Sequence, residues 1–269
     1  MTTIFTPLSQ LATACAFSLG LLIGNPALAE DNAQKGLTIA TEVQTRDSGW
    51  GDSHATMEMT LTNKQGRSSQ RKLEMQTLEV ENDGDKTLTV FHEPRDVKGT
   101  AFLSFSHALE ADQQWLYLPA LKRVKRISSA NKSGPFLGSE FAFEDLSSLE
   151  IEKYSYEYLR DDTLGEYPVF VVKYVPQYEH SGYQYLEVWI DQKEYIIRKT
   201  EYYDRKGSHL KTLEFNQYQQ FLDKYWRAME YVVQNHQTGK RTQLDWTNYS
   251  FQNGIDEKDF TQSALKRAR

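Results

Sequence analysis

The chain has 269 residues, with 31 Lys and Arg against 37 Asp and Glu, and a formal net charge of −6. A mildly acidic balance lacks the basic footprint of a general nucleic-acid binder. A single cysteine excludes an intrachain disulfide framework and a site built from several thiolates.

Residues Leu11 to Gly24 read LATACAFSLGLLIG, a charge-free apolar run of 14 residues, too short for the roughly 20 residues of a membrane-spanning helix. Asn25-Pro26 and the small-x-small triplet Ala27-Leu28-Ala29 follow it. The segment therefore reads as a signal peptide over residues 1–29, cleaved before Glu30, although Met1 to Gln10 contains no Lys or Arg. The periplasm is the expected location. The apolar run continues well past Cys15, so this cysteine is a poor lipidation site, and the mature chain holds no thiol. Residues 30–269 are long enough for one domain with its own core. They contain no further apolar stretch able to span a membrane.

The mature chain opens with an expected helix over about Asn32 to Arg46, where Leu37, Ala40 and Val43 recur at helical spacing before Ser48-Gly49-Trp50-Gly51. Strands follow. Met57, Met59 and Leu61 alternate with polar residues up to the Asn63–Gly66 turn, and a second alternating run ends at Asn82–Asp85. Further runs cover Thr87–His92, Thr100–Phe105 and Gln114–Leu118. In the second half Tyr154, Tyr156 and Tyr158 share one strand face, and Val169–Val175 is nearly continuously apolar. Tyr183–Trp189, Tyr195–Tyr203, Leu210–Tyr218, Tyr225–Gln234 and Thr242–Phe251 complete an antiparallel meander of about eleven strands.

The stretch from Ser128 to Leu149, SSANKSGPFLGSEFAFEDLSSL, breaks this rhythm with Gly134, Pro135 and Gly138. It predicts one or two short helices or a loop whose apolar residues either plug the core or cover a cavity.

Motifs that carry chemistry are scarce. The six histidines, His54, His92, His107, His180, His209 and His236, show no helical metal spacing. No Gly-x-Ser-x-Gly elbow occurs. The acidic pairs Asp161-Asp162 and Glu257 with Asp259 fall in expected turns, where solvation leaves carboxylates unsuited to acid–base work. The expectation is a protein that is not an enzyme and needs no cofactor or metal. Two features suggest binding. Lys122, Arg123, Lys125 and Arg126 form a positive rim beside the aromatic strand of Trp115 and Tyr117, suited to a lipid head group or an acidic partner, or else to guarding a sheet edge. The chain is also 13% aromatic, with these residues at alternate strand positions.

The run WLYLPALKRVKRISSANKSGPFLGSEFAFEDL, together with Asp96–Thr100, Gly254-Ile255-Asp256 and Asp259-Phe260, resembles the outer-membrane lipoprotein-sorting protein group of the LolA/LolB-like superfamily. The resemblance spans essentially the whole mature chain. It implies a mainly β fold, a half-open antiparallel barrel closed by short helices around an apolar cavity for acyl chains. It also implies a periplasmic carrier of lipid or acylated cargo, working with an RND-type inner-membrane transporter. On that expectation Trp115, Tyr117, Leu118, Phe136, Leu137, Phe141 and Phe143 line or gate the cavity, with the Ser133–Leu149 loop as the gate. The basic rim contacts head groups or a partner. The alternative is a docking scaffold of the envelope that carries nothing.

Overall fold

The computed structural model describes residues 1–2 and 26–267. The apolar run Leu11–Gly24, Cys15 and the side chains of the expected cleavage site lie outside the described residues.

Thirteen strands form one antiparallel sheet: β1 (Asp52–Thr62), β2 (Ser68–Leu78), β3 (Lys86–Glu93), β4 (Ala101–Phe105), β5 (Gln113–Leu118), β6 (Arg123–Ile127), β7 (Tyr154–Leu164), β8 (Tyr167–Pro176), β9 (Tyr183–Asp191), β10 (Ile197–Asp204), β11 (His209–Phe221), β12 (Tyr225–Asn235) and β13 (Arg241–Phe251). The count exceeds the expected eleven, and the strand absent from the expected runs is the short basic β6, which pairs with β5 at one edge. Asp161 and Asp162 also depart from expectation. They lie within β7, paired with Phe170 and Val169, not in a turn.

Strand order explains the shape. The first meander winds outward from β1 to β6, the second winds inward from β7 to β13, and β1 pairs with β13 at the centre. The two edges, β6 and β7, do not pair, so the barrel stays half open. Residues 128–153 cross from one edge to the other as a strap of short 3₁₀ turns at 129–131, 143–146 and 151–153.

The alternation of each strand sends one set of side chains to the concave face. Met57 and Met59 of β1, Leu73 of β2, Val188 and Ile190 of β9 and Val233 of β12 meet there in the central core. A second, smaller cluster lies on the convex face, where Leu88, Val90, Leu103 and Trp115 are covered by Phe260 and by Leu265 of a C-terminal helix, α2 (Gln262–Arg267).

The first helix, α1, runs from Pro26 to Arg46, starting six residues ahead of the expected Asn32 and ending where expected. It lies along β7 and feeds Ile39 and Ala40 into the core. Gly36 permits this approach. A Cβ at this position would sit 2.8 Å from the backbone nitrogen of Tyr158, closer than real side chains come to a backbone. The helix thus shields one sheet edge, while β6 at the other edge is touched only lightly by the six-residue α2.

Candidate functional site

The strap is held on the concave face by its own aromatic residues and by buried charge. Phe136, 2% exposed, packs against Phe102 at 5.2 Å, Phe143 at 5.6 Å and Phe91 at 6.0 Å between ring centroids. Phe141, 4% exposed, belongs to the same core, and Leu137 packs against it from a left-handed backbone with φ of 48°. Arg71 of β2 donates to the Leu137 carbonyl at 2.7 Å and fixes the strap's tip.

Two consecutive carboxylates anchor the strap's second half. Glu144 accepts from the Gly182 amide at 2.8 Å, Ser181 Oγ at 2.9 Å and Tyr178 Oη at 3.1 Å. Burial and the neighbouring Asp145 push its carboxyl above the usual carboxylate range. Asp145 accepts from Tyr183 Oη at 2.7 Å and the Ala142 amide at 2.6 Å, and pairs with Lys211 of β11. At the strap's ends Asp112 receives Lys153 at 2.7 Å and Lys132 at 3.2 Å, and Gln114 donates to the Phe143 carbonyl at 2.9 Å.

Beyond the strap the concave face opens into a cleft of about 580 Å³. It sits at the end of the barrel where α1 finishes. Val43 and Asp47 of α1 and its following turn, with Trp50, form one wall. Phe215 and Tyr218 of β11, Tyr231 of β12 and Tyr249 of β13 contribute the aromatic floor. Ring contacts organise this floor, with Phe215 and Tyr231 centroids 4.9 Å apart at 70°. The rim is charged. Arg227 pairs with Asp47 and lies 5.6 Å over the Trp50 ring, and Arg46 stacks on Tyr195 at 4.3 Å. Glu79 accepts from the amides of Gly49 and Gly51, both at 2.7 Å, which fixes the turn that carries Trp50. Asp85 lines the same opening, and burial, reinforced by Glu150, raises its carboxyl to about 7.

The residues singled out from sequence separate into three places. Leu118, Phe136, Leu137, Phe141 and Phe143 pack into or against the central core on the concave face. Trp115 and Tyr117 point the other way, into the cluster beneath α2, because adjacent strand positions face opposite sides. Arg123, Lys125 and Arg126 are exposed on edge strand β6. Lys122 is not part of that strand but caps the 3₁₀ turn Pro119–Leu121 in a left-handed conformation, φ 50°. The aromatic residues that line the cleft, Trp50, Tyr195, Phe215, Tyr218, Trp226, Tyr231 and Tyr249, were visible in the sequence only as aromatic excess.

Among the described residues no group of three or more His, Cys, Asp or Glu has a metal-binding arrangement. Four histidines, scattered in sequence, nonetheless form two separate pairs in space. His54 and His92 flank Glu74 at 2.8 and 3.2 Å, and the His209 and His236 rings lie 4.3 Å apart at a tilt of 36°. No described helix is long and apolar enough to cross a membrane.

A protein-family model described as that of an uncharacterized protein matches residues 83–267. A Vibrio parahaemolyticus domain that carries the name of an outer membrane lipoprotein-sorting protein is 58% identical, with a TM-score of 0.86 over 88% of this chain and 100% of that one. A DUF1329 family protein from Desulfovibrio piger shares the fold at 24% identity and a TM-score of 0.83, covering 87% of this chain and 99% of that one. A LolA superfamily protein from Nitrosomonas europaea does so at 18% identity and 0.66, over 87% and 99%. The comparison with curated proteins found no match.

Proposed function

The chain belongs to the outer-membrane lipoprotein-sorting protein group and has the fold of the LolA superfamily, and from that premise we propose that it is a periplasmic carrier of lipid or acylated cargo. The observation that carries this reading is the aromatic cleft between α1 and β10–β13, apolar at its floor and charged at its rim. Such a site suits an acyl chain inside and a polar head group at the mouth, since each buried CH₂ contributes about 0.8 kcal/mol. Its volume falls within the range of small-molecule pockets.

The strap is the gate in this account. Its phenylalanines occupy the remainder of the concave face, so a second chain or a larger acylated cargo enters only as they withdraw. The buried Asp145–Lys211 and Asp112–Lys153 pairs hold the strap closed until acyl burial offsets their loss. The signal segment 1–29, delivery to the periplasm and an RND-type inner-membrane transporter as the source or acceptor of cargo belong to the same proposal. No pairing of nucleophile and base is needed for it, because transfer breaks no bond.

Displacement of a fluorescent fatty acid tests the cleft. Val43→Trp, which places a large ring in the half-buried mouth, is expected to lower probe affinity at least tenfold while leaving the circular dichroism spectrum unchanged. Unaltered affinity would move the binding site elsewhere.

A further inference from the structure

The two edges of the sheet are treated differently. β7 is covered by α1, whereas β6 has no strand on its outer side, is touched lightly by the short helix α2, and carries Arg123, Lys125 and Arg126, all exposed. Arg123 and Lys125 stand opposite Leu118 and Leu116 and so share their face of the sheet, while Arg126 stands opposite Trp115 on the other. The edge is therefore cationic on both sides. The neighbouring turn of Pro94–Gly99 lies against Pro119, 3.4 Å from the position of a Cβ on Gly99, and adds exposed Arg95 and Lys98.

One nearby carboxylate, the exposed Asp96, lies in that same turn between Arg95 and Lys98, and offsets part of this charge; the others are engaged elsewhere. Glu93 pairs with Lys72, Glu257 with Lys86 and Asp256 with Lys258. Among the described residues none of Arg95, Lys98, Lys122, Arg123, Lys125 and Arg126 is within ion-pair distance of a carboxylate. In a chain of net charge −6 this is a strong local reversal of sign.

At the centre of these cations stands an apolar side chain. The 3₁₀ turn Pro119–Leu121 presents Leu121 with 62% of its surface exposed, followed by Lys122 in its left-handed conformation. Charges alone suffice to guard a sheet edge against pairing, and an exposed leucine works against that purpose. An apolar tip ringed by cations instead matches a bilayer surface with anionic head groups, where the leucine enters the acyl boundary and the cations remain among phosphates.

We propose that the β5–β6 turn and the β6 edge form a docking surface for an anionic membrane. Addition of an acidic strand from a protein partner fits less well. β6 has five residues, and the left-handed Lys122 and the 3₁₀ turn at 129–131 interrupt its ladder on either side. A lipid surface needs no backbone register. The β5–β6 turn lies at the opposite end of the strands from the Asp47–Trp50 mouth, so docking leaves the cleft free, and the surface stands independently of what the cleft carries.

Co-sedimentation of the full chain with vesicles tests this. Binding to vesicles of phosphatidylethanolamine with phosphatidylglycerol is expected, with little to pure phosphatidylcholine vesicles and a marked loss on raising salt. Each of Arg123→Glu, Lys125→Glu and Arg126→Glu should lower partitioning about fivefold or more. Leu121→Asp should lower it too, and all four variants should still take up a fluorescent fatty acid as wild type does. Uptake that persists with vesicle binding gone separates this surface from the carrier reading. Equal binding to both vesicle types, or none, overturns the proposal, as does full binding by the charge-reversed variants. Capture of an acidic envelope protein by a wild type that ignores vesicles assigns the edge to that partner instead.

Discussion

Lys211 of β11 and Asp145 of the strap form an ion pair in which each side chain is only 4% exposed. Lys211 also donates to the Glu140 carbonyl at 3.0 Å and lies over the rings of Tyr183 and Tyr202. One residue of the sheet thus holds two points of the strap.

Removing the cation from this pair leaves a buried carboxylate facing aromatic rings. Lys211→Met should destabilise the protein by about 3–5 kcal/mol in urea denaturation, the usual cost of breaking a buried pair from one side. Hydrogen exchange over residues 133–149 should rise more than in β1 or β13. A change that is uniform, or smaller than about 1 kcal/mol, would mean that the pair does not hold the strap.

Gly36 sets how closely α1 lies on β7. Gly36→Ala introduces a methyl group 2.8 Å from the Tyr158 nitrogen, and neither backbone can yield without shifting the helix. A loss of about 1–3 kcal/mol is expected, despite the higher helix propensity of alanine. An unchanged or raised melting temperature would show that α1 is free to move away from the sheet.

Asp85 makes stability depend on pH in an unusual direction. Its carboxyl is raised from 3.8 to about 7 in the folded chain, chiefly by burial. Below about 4 it is protonated in folded and unfolded chains alike and contributes nothing. Between about 4 and 7 only the unfolded chain ionises, so its contribution falls as pH rises, by at most about 1.4 kcal/mol per unit. Asp85→Asn should therefore stabilise the protein more at pH 8 than at pH 5. Equal effects at the two values would show that Asp85 titrates normally.

The strand pattern was legible because burial on one face of a sheet imposes a period of two, as Met57, Met59 and Leu61 show. The strap was legible only as a departure. Gly134, Pro135 and Gly138 break the pattern, yet nothing near Asp145 points to Lys211, 66 residues away. Arg227 and Asp47, at the rim of the cleft, are 180 residues apart and equally silent in sequence. Trp115 and Tyr117 show the opposite limit. Their strand was correctly read, but which of its two faces looks into the barrel depends on how the whole sheet curves.

The measurement closest to the central claim is native mass spectrometry, with solvent extraction, of the chain from Glu30 onward purified from a periplasmic fraction without detergent. The carrier account predicts a bound lipid that leaves on denaturation, with reduced occupancy in Val43→Trp. A chain that emerges empty, and takes up no fatty-acid or phospholipid probe afterwards, would contradict it and leave an envelope docking scaffold in its place.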